Sequence, residues 1–214
     1  MISSASLLIL QTTKVGDKSL VLHTLSSQWG RRSFIVSAGK GMAMYLPMNI
    51  LDAEVIQNDK SDLWRLRGIS AVHPLNGIRS SVGKNSITLF MSEVLYRIIR
   101  DGALEDGLFE WCEKSILTLD ALESEWANFH LRWLLELCGV LGFSPSSEDL
   151  APFSGSLYPK ITALMKLGFG EFMLFPLTGE ERNAIAQILL DYIGFHSDCM
   201  VEIRSLKVLR ELFA

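Results

Sequence analysis

The sequence predicts an α+β chain, a small closed β-barrel followed by an all-helical region, and three observations lead there. The apolar residues recur with period two over roughly the first eighty positions and with period 3.6 after that. Glycine-bearing turns cut the first part into five short runs. The charge divides at the same place. Residues 1–84 carry ten Lys and Arg against five Asp and Glu, a net of +5, and the rest of the 214-residue chain carries −9. These observations assign a barrel domain to residues 1–80 and a helical domain to residues 81–214.

The strands are taken in order. Ser6–Gln11 is apolar and is bounded by the turn Lys14-Val15-Gly16-Asp17. Ser19–Ser26 holds Leu20, Val21, Leu22 and Leu25. Gly30 opens a third run, Arg31–Val36, where Phe34 and Val36 alternate with Ser33 and Ile35. Gly39-Lys40-Gly41 breaks the chain. In Leu51–Val55 the apolar Leu51, Ala53 and Val55 alternate with Asp52 and Glu54, the pattern of a half-buried strand. The fifth run, Trp64–Ser70, sets Trp64 and Leu66 against Arg65 and Arg67. Five such strands fit an OB-fold, and an SH3-like barrel presents the same pattern.

The helices follow from about residue 85. Ile87, Met91, Val94, Leu95 and Ile98 form one stripe, with Glu93 and Arg97 spaced for an i,i+4 pair. Leu108, Cys112, Ile116 (or Ser115) and Leu119 form a second, and Ala127, Leu131, Leu134, Leu135, Cys138 and Leu141 a third that ends at Gly142. Phe143–Pro159 is rich in Ser and Pro and reads as a loop, and Tyr158–Leu167 as a short helix. Thr178-Gly179-Glu180-Glu181 is a capping box, Thr and Glu each satisfying the other's free amide. Its helix carries Ile185, Ile188, Leu189 and Tyr192 inward and stops near Gly194; Ser205–Phe213 is a last amphipathic helix.

Catalytic chemistry is missing from this pattern. The sequence has no phosphate loop, strand-linked GxGxxG, HExxH or GxSxG. The four histidines are scattered, and His196-Ser197-Asp198-Cys199 lacks a fourth metal ligand at a known spacing. Glu105, Asp106, Glu110 and Glu113 read as the outer face of a helix. Three sparse cysteines argue against a disulfide framework, with Cys112 and Cys138 expected in the core. No apolar run has the length of a membrane span, and the first residues lack a signal-peptide pattern, so a cytoplasmic protein is expected. The sequence predicts no enzyme, no metal and no cofactor.

Cations of the barrel point instead to a polyanion. Lys14 and Lys18 bracket a turn, Arg31 and Arg32 lead into a strand, Lys40 sits between glycines, and Arg65 and Arg67 share a strand face. In an OB-like barrel a strand face and its loops hold nucleic acid, cations supplying affinity and aromatics such as Trp29 and Tyr45 stacking on bases. Trp64 and Phe34 are assigned to the barrel core.

The ordered set Lys14-Val15-Gly16-Asp17-Lys18-Ser19-Leu20, Thr24–Ser26, Gly30-Arg31 and Leu46-Pro47 resembles the N-terminal OB domain of the RecO recombination mediators. Leu89–Tyr96, Phe129–Phe143 and Ile203–Leu209 resemble that family's helical segments. The resemblance implies a non-catalytic DNA repair protein, cytoplasmic and nucleoid-associated. It would bind single- and double-stranded DNA, anneal strands, contact RecR and the acidic tail of the single-stranded-DNA-binding protein, and help load RecA. A receptor for that tail needs an apolar slot with a cation at its rim, for which Arg132, Arg97 and Arg100 are the candidates. The alternative role for Arg132 is a surface ion pair with Glu136 at i,i+4. Many members of the family carry a four-cysteine zinc module after the position of Phe143, and Phe143–Lys160 has no cysteine. The family's longer basic stretch after the third strand is reduced here to Lys40. An RNA-associated OB adaptor is the alternative that the charge division serves equally well.

Overall fold

A computed structural model of the chain describes residues 2–39, 41–58, 60–61, 63–199 and 202–213. Its first part is a closed five-stranded barrel: β1 (Ile2–Val15), β2 (Ser19–Ser26), β3 (Gly30–Ser37), β4 (Ile50–Ile56) and β5 (Trp64–Ala71). The strands follow one another as β1-β2-β3-β5-β4, with β4 returning to pair with β1. All pairs are antiparallel except β3 with β5, which meet at Phe34–Trp64 and Ile35–Arg65. This is the OB order, and it closes the choice between barrel types.

β1 is longer than the apolar run that announced it. Its last pair with β4 is Leu8–Ile50, whereas its pairing with β2 continues to Val15–Ser19, so β1 and β2 project as a hairpin beyond β4. The unbroken run Leu7-Leu8-Ile9-Leu10 has a physical cause: both faces of the strand are buried. Leu7 and Ile9 point into the barrel with Leu22, Phe34, Leu51 and Val55. Leu8 and Leu10 point out and join Leu25, Met48 and Ile50 in one core with the helices.

The helical part comprises α1 (Asn76–Arg79), α2 (Val82–Ile98), α3 (Leu108–Ala121), α4 (Phe129–Val140), α5 (Ser147–Ser154), α6 (Tyr158–Met165), α7 (Phe169–Leu174), α8 (Gly179–His196) and α9 (Ser205–Leu212). The predicted stripes of α2 and α3 are buried, and the Thr178 capping box starts α8 as expected. α8 runs two residues past Gly194. Two expectations are corrected. Phe143–Pro159 is not a loop: Ser146 and Asp149 form a second capping box that starts α5, and a 3-10 turn at Gly155–Leu157 leads into α6. Glu93 does not pair with Arg97; its carboxylate accepts from the amides of Arg204 (3.1 Å) and Ser205 (2.8 Å) and from the Ser205 hydroxyl (2.6 Å), capping α9.

The two parts are also joined along β3. The Arg31 amide donates to Ala103 O at 3.0 Å and the Gly102 amide donates back to Arg31 O at 2.8 Å. Gly30 permits this approach. At φ +60°, a Cβ there would stand 1.8 Å from the Ala103 carbonyl oxygen, inside its van der Waals radius.

Candidate nucleic-acid interface and partner cavity

The hairpin tip carries Lys14 and Lys18, both exposed, around Gly16 in left-handed backbone. Arg65 and Arg67 lie exposed on the outer side of β5, where alternation places them opposite the buried Leu66. Arg67 is partly neutralised, because its Nε donates to Glu54 Oε2 at 2.7 Å. Among the described residues Arg65, Lys14 and Lys18 form no ion pair. Lys40 lies outside the described residues.

Arg31 and Arg32 share a strand but not a task. Arg31 points outward against α2: its Nη1 donates to Ile99 O at 2.6 Å and its guanidinium lies 4.2 Å from the centre of the Tyr96 ring. Arg32 has the inward parity of Phe34 and stacks 3.5 Å over Trp64, against which Trp29 packs edge-on at 5.6 Å. The register pairs Ser19 with Ser37 and Ser26 with Gly30, so Lys18 and Arg32 stand at opposite ends of β3. The six described cations thus stand at the hairpin tip (Lys14 and Lys18), on the outer β5 face (Arg65 and Arg67), at the junction with α2 (Arg31) and over the Trp64 ring (Arg32).

Two further cations in the +5 of the first 84 residues are structural. Arg79 donates to Asn85 Oδ1 at 2.7 Å, to Pro47 O at 3.3 Å and to Asn49 Oδ1. Lys84, 4% exposed, donates to Asp120 O at 3.1 Å and to Leu122 O. Burial holds both groups below their ordinary pKa. The outer β2–β3 face is partly covered as well. His23 lies within hydrogen-bonding distance of Ser33 Oγ (2.8 Å) and Thr13 Oγ1 (3.1 Å), 5.3 Å from the Tyr96 ring. Burial, then the Arg31 charge, lowers its pKa. Tyr96 escaped sequence reasoning because on α2 it reads as one more partly apolar position.

Arg132 on α4 borders a cavity of about 350 Å³. Trp111, Phe129, Trp133 and Phe169 wall it, and Lys114, Arg132 and Glu136 are its charged members. Trp111 and Trp133 stack with centroids 5.5 Å apart. The Arg132 Nε donates to Glu136 Oε1 at 2.6 Å, the i,i+4 pair expected from the sequence, and Nη1 donates to Leu167 O at 3.1 Å. The indole N–H of Trp133 is buried with no acceptor among the described residues. Arg97 and Arg100, both exposed near the end of α2, do not line this cavity. Lys114, Trp111 and Phe169 belong to it and went unread in the sequence, since α3 and α7 meet α4 only in the fold. No three His, Cys, Asp or Glu side chains converge on a metal-holding geometry among the described residues.

These features define a class: an OB barrel fused through a shared core to a helical body, with cations on the barrel and a cation-rimmed aromatic cavity in the helices. Comparison with known proteins finds chains of similar sequence. The family model described as "Recombination protein O C terminal" matches residues 79–151. The DNA repair protein RecO of Phocaeicola vulgatus is 28% identical over 234 residues, covering 97% of each chain. That of Flavobacterium psychrophilum is 28% identical at the same coverage, and that of Porphyromonas gingivalis is 24% identical over the full length of both. The chain is thus similar to RecO proteins over nearly its whole length, and its residues 79–151 match the model of their C-terminal part.

Proposed function

We propose that the protein is a non-catalytic mediator of DNA repair and recombination. Its barrel domain, residues 1–80, holds single- and double-stranded DNA and promotes annealing. Its helical domain, residues 81–214, holds the acidic tail of the single-stranded-DNA-binding protein. With RecR it helps load RecA onto the coated strand. The observation that carries the reading is the closed OB barrel bearing exposed Lys14, Lys18 and Arg65, which form no ion pair among the described residues. Arg32 and Arg67 contribute phosphate contacts once their present partners yield, Arg31 adds long-range charge from a fixed position, and Lys40 completes the set.

The test is DNA binding by fluorescence anisotropy as salt is raised. About four neutralised phosphates on a single strand give a log–log slope near −3, so affinity falls roughly fifty-fold between 50 and 200 mM salt. A Lys14→Ala/Lys18→Ala/Arg65→Ala variant is expected to flatten the slope. A flat response in the wild type removes the interface, and stronger binding to RNA of equal length favours the adaptor reading.

The tail is assigned to the Arg132 cavity. A chain end bearing an apolar side chain and a free carboxylate fits aromatic walls with Arg132 and Lys114 at the rim. Arg97 and Arg100 are secondary candidates because neither lines the Arg132 cavity. Arg132→Ala is expected to weaken a fluorescent tail peptide by about 1–3 kcal/mol. Unchanged affinity in Arg132→Ala and Lys114→Ala together moves the tail to another surface.

A further inference from the structure

A second groove, of about 780 Å³, lies where the end of α8 and the turn after it face α5. Its floor is apolar. Leu190 and Ile203 are buried, Phe153 is half-buried, and Phe195 stands 73% exposed. Its rim is anionic: Asp191, Asp198 and Glu202 are exposed and, among the described residues, no Lys or Arg lines it, although the Arg100 charge acts on Cys199 at its edge. Among the described residues none of these carboxylates forms an ion pair; Asp191 accepts one hydrogen bond, from Gln187 Nε2 at 2.8 Å.

The floor is held in shape from behind. Phe153 packs edge-on against Tyr192 (6.0 Å) and Phe195 (6.3 Å), and His196 stacks on Phe143 at 5.0 Å. An exposed aromatic on a fixed apolar floor is a feature of contact surfaces. The charge decides the occupant. Three unpaired carboxylates within a region of net −9 repel nucleic acid and repel an acidic tail, which the Arg132 cavity suits instead. We propose that this groove docks a cationic, amphipathic segment of a partner protein, with apolar side chains on the floor and Lys or Arg across the rim. The chain's own basic hairpin tip fits less well, because it offers one apolar side chain, Val15, to a floor made by four.

Cys199 lines the groove and is half-buried, whereas Cys112 and Cys138 are buried, so its alkylation by N-ethylmaleimide reports whether the groove is filled. The probe is a fluorescein-labelled helical peptide of about twelve Lys and Leu residues, titrated into the full chain at low salt. Saturating peptide is expected to slow Cys199 alkylation at least about fivefold, and Asp191→Asn/Asp198→Asn to weaken binding on the order of tenfold. Phe195→Ala is expected to weaken binding as well. Glu105→Gln/Asp106→Asn makes the same change of charge away from the groove and is expected to leave binding unaltered. Three results overturn the proposal: no protection of Cys199, equal weakening by the two charge-matched pairs, or salt-sensitive self-association that the Asp191/Asp198 pair abolishes, which assigns the groove to a second copy.

Discussion

His130 is 1% exposed between the rings of Phe90 (5.7 Å) and Phe213 (6.0 Å). Burial, reinforced by the Arg182 charge, lowers its pKa to about 3. In the unfolded chain the same imidazole titrates near its ordinary 6.5. Between those values the unfolded state binds a proton that the folded state refuses, so stability is intact above the unfolded pKa and falls as pH drops, by at most about 1.4 kcal/mol per unit. Urea melts at pH 7 and pH 5 are expected to differ by roughly 2 kcal/mol more in the wild type than in His130→Leu. Equal pH dependence in the two proteins would place the titration elsewhere. Nothing adjacent in sequence announces this histidine's setting, and the same holds for Arg31. Its type and its position after Gly30 are plain, but the carbonyl it binds is Ile99's, 68 residues away. Charge is legible in a sequence; whether a cation is free or already engaged is decided by distant backbone.

At the scale of elements, α9 shows how a short helix is kept. Ser205–Leu212 is two turns long, too short to persist alone. Leu206 and Leu209 bury against the helical core, and the Glu93 carboxylate takes the two amides and the hydroxyl at the helix start. Glu93→Ala removes these charge-assisted bonds together and is expected to loosen the helix by about 1–3 kcal/mol. Hydrogen exchange over Leu206–Leu212 checks this: the amides should lose protection while those of α4 keep theirs. Equal loss in both helices would make Glu93 part of the global fold rather than a local cap. Elements with a strong period were readable, including all five strands and the stripes of α2, α3 and α8. The failures were α5, hidden by its Ser and Pro content although Ser146 and Asp149 carried the capping signal, and α1 and α7, each too short to establish a period.

For the whole molecule the decisive fact is that Leu8, Leu10, Leu25, Met48 and Ile50 of the barrel lie in the same apolar cluster as the helices. Excising either part would expose that face. Barrel and helices are therefore expected to unfold in one transition. Fluorotryptophan labels resolve the parts, since Trp29 and Trp64 report on the barrel and Trp111, Trp126 and Trp133 on the helices. Coincident denaturant midpoints are the expected result; separated midpoints would mean that the shared cluster does not couple the two. Fold class and the order of parts were legible because alternation, helical period and charge all change near the same residue. The sites were less so. The Arg132 cavity draws its walls from three helices, and the described barrel cations come from β1, the turn after it, β3 and β5, so neither arrangement has a linear signature.

The contact of α9 with Glu93 also bears on how the chain is made. Arg204 follows Glu93 by 111 residues. At about 5–20 residues per second, α2 leaves the ribosome roughly 5 to 20 s before the helix that covers it. Through that interval the surface destined for Leu206 and Leu209 is wet and apolar, and a nascent chain halted there would be a substrate for chaperones and proteases rather than a partly working protein.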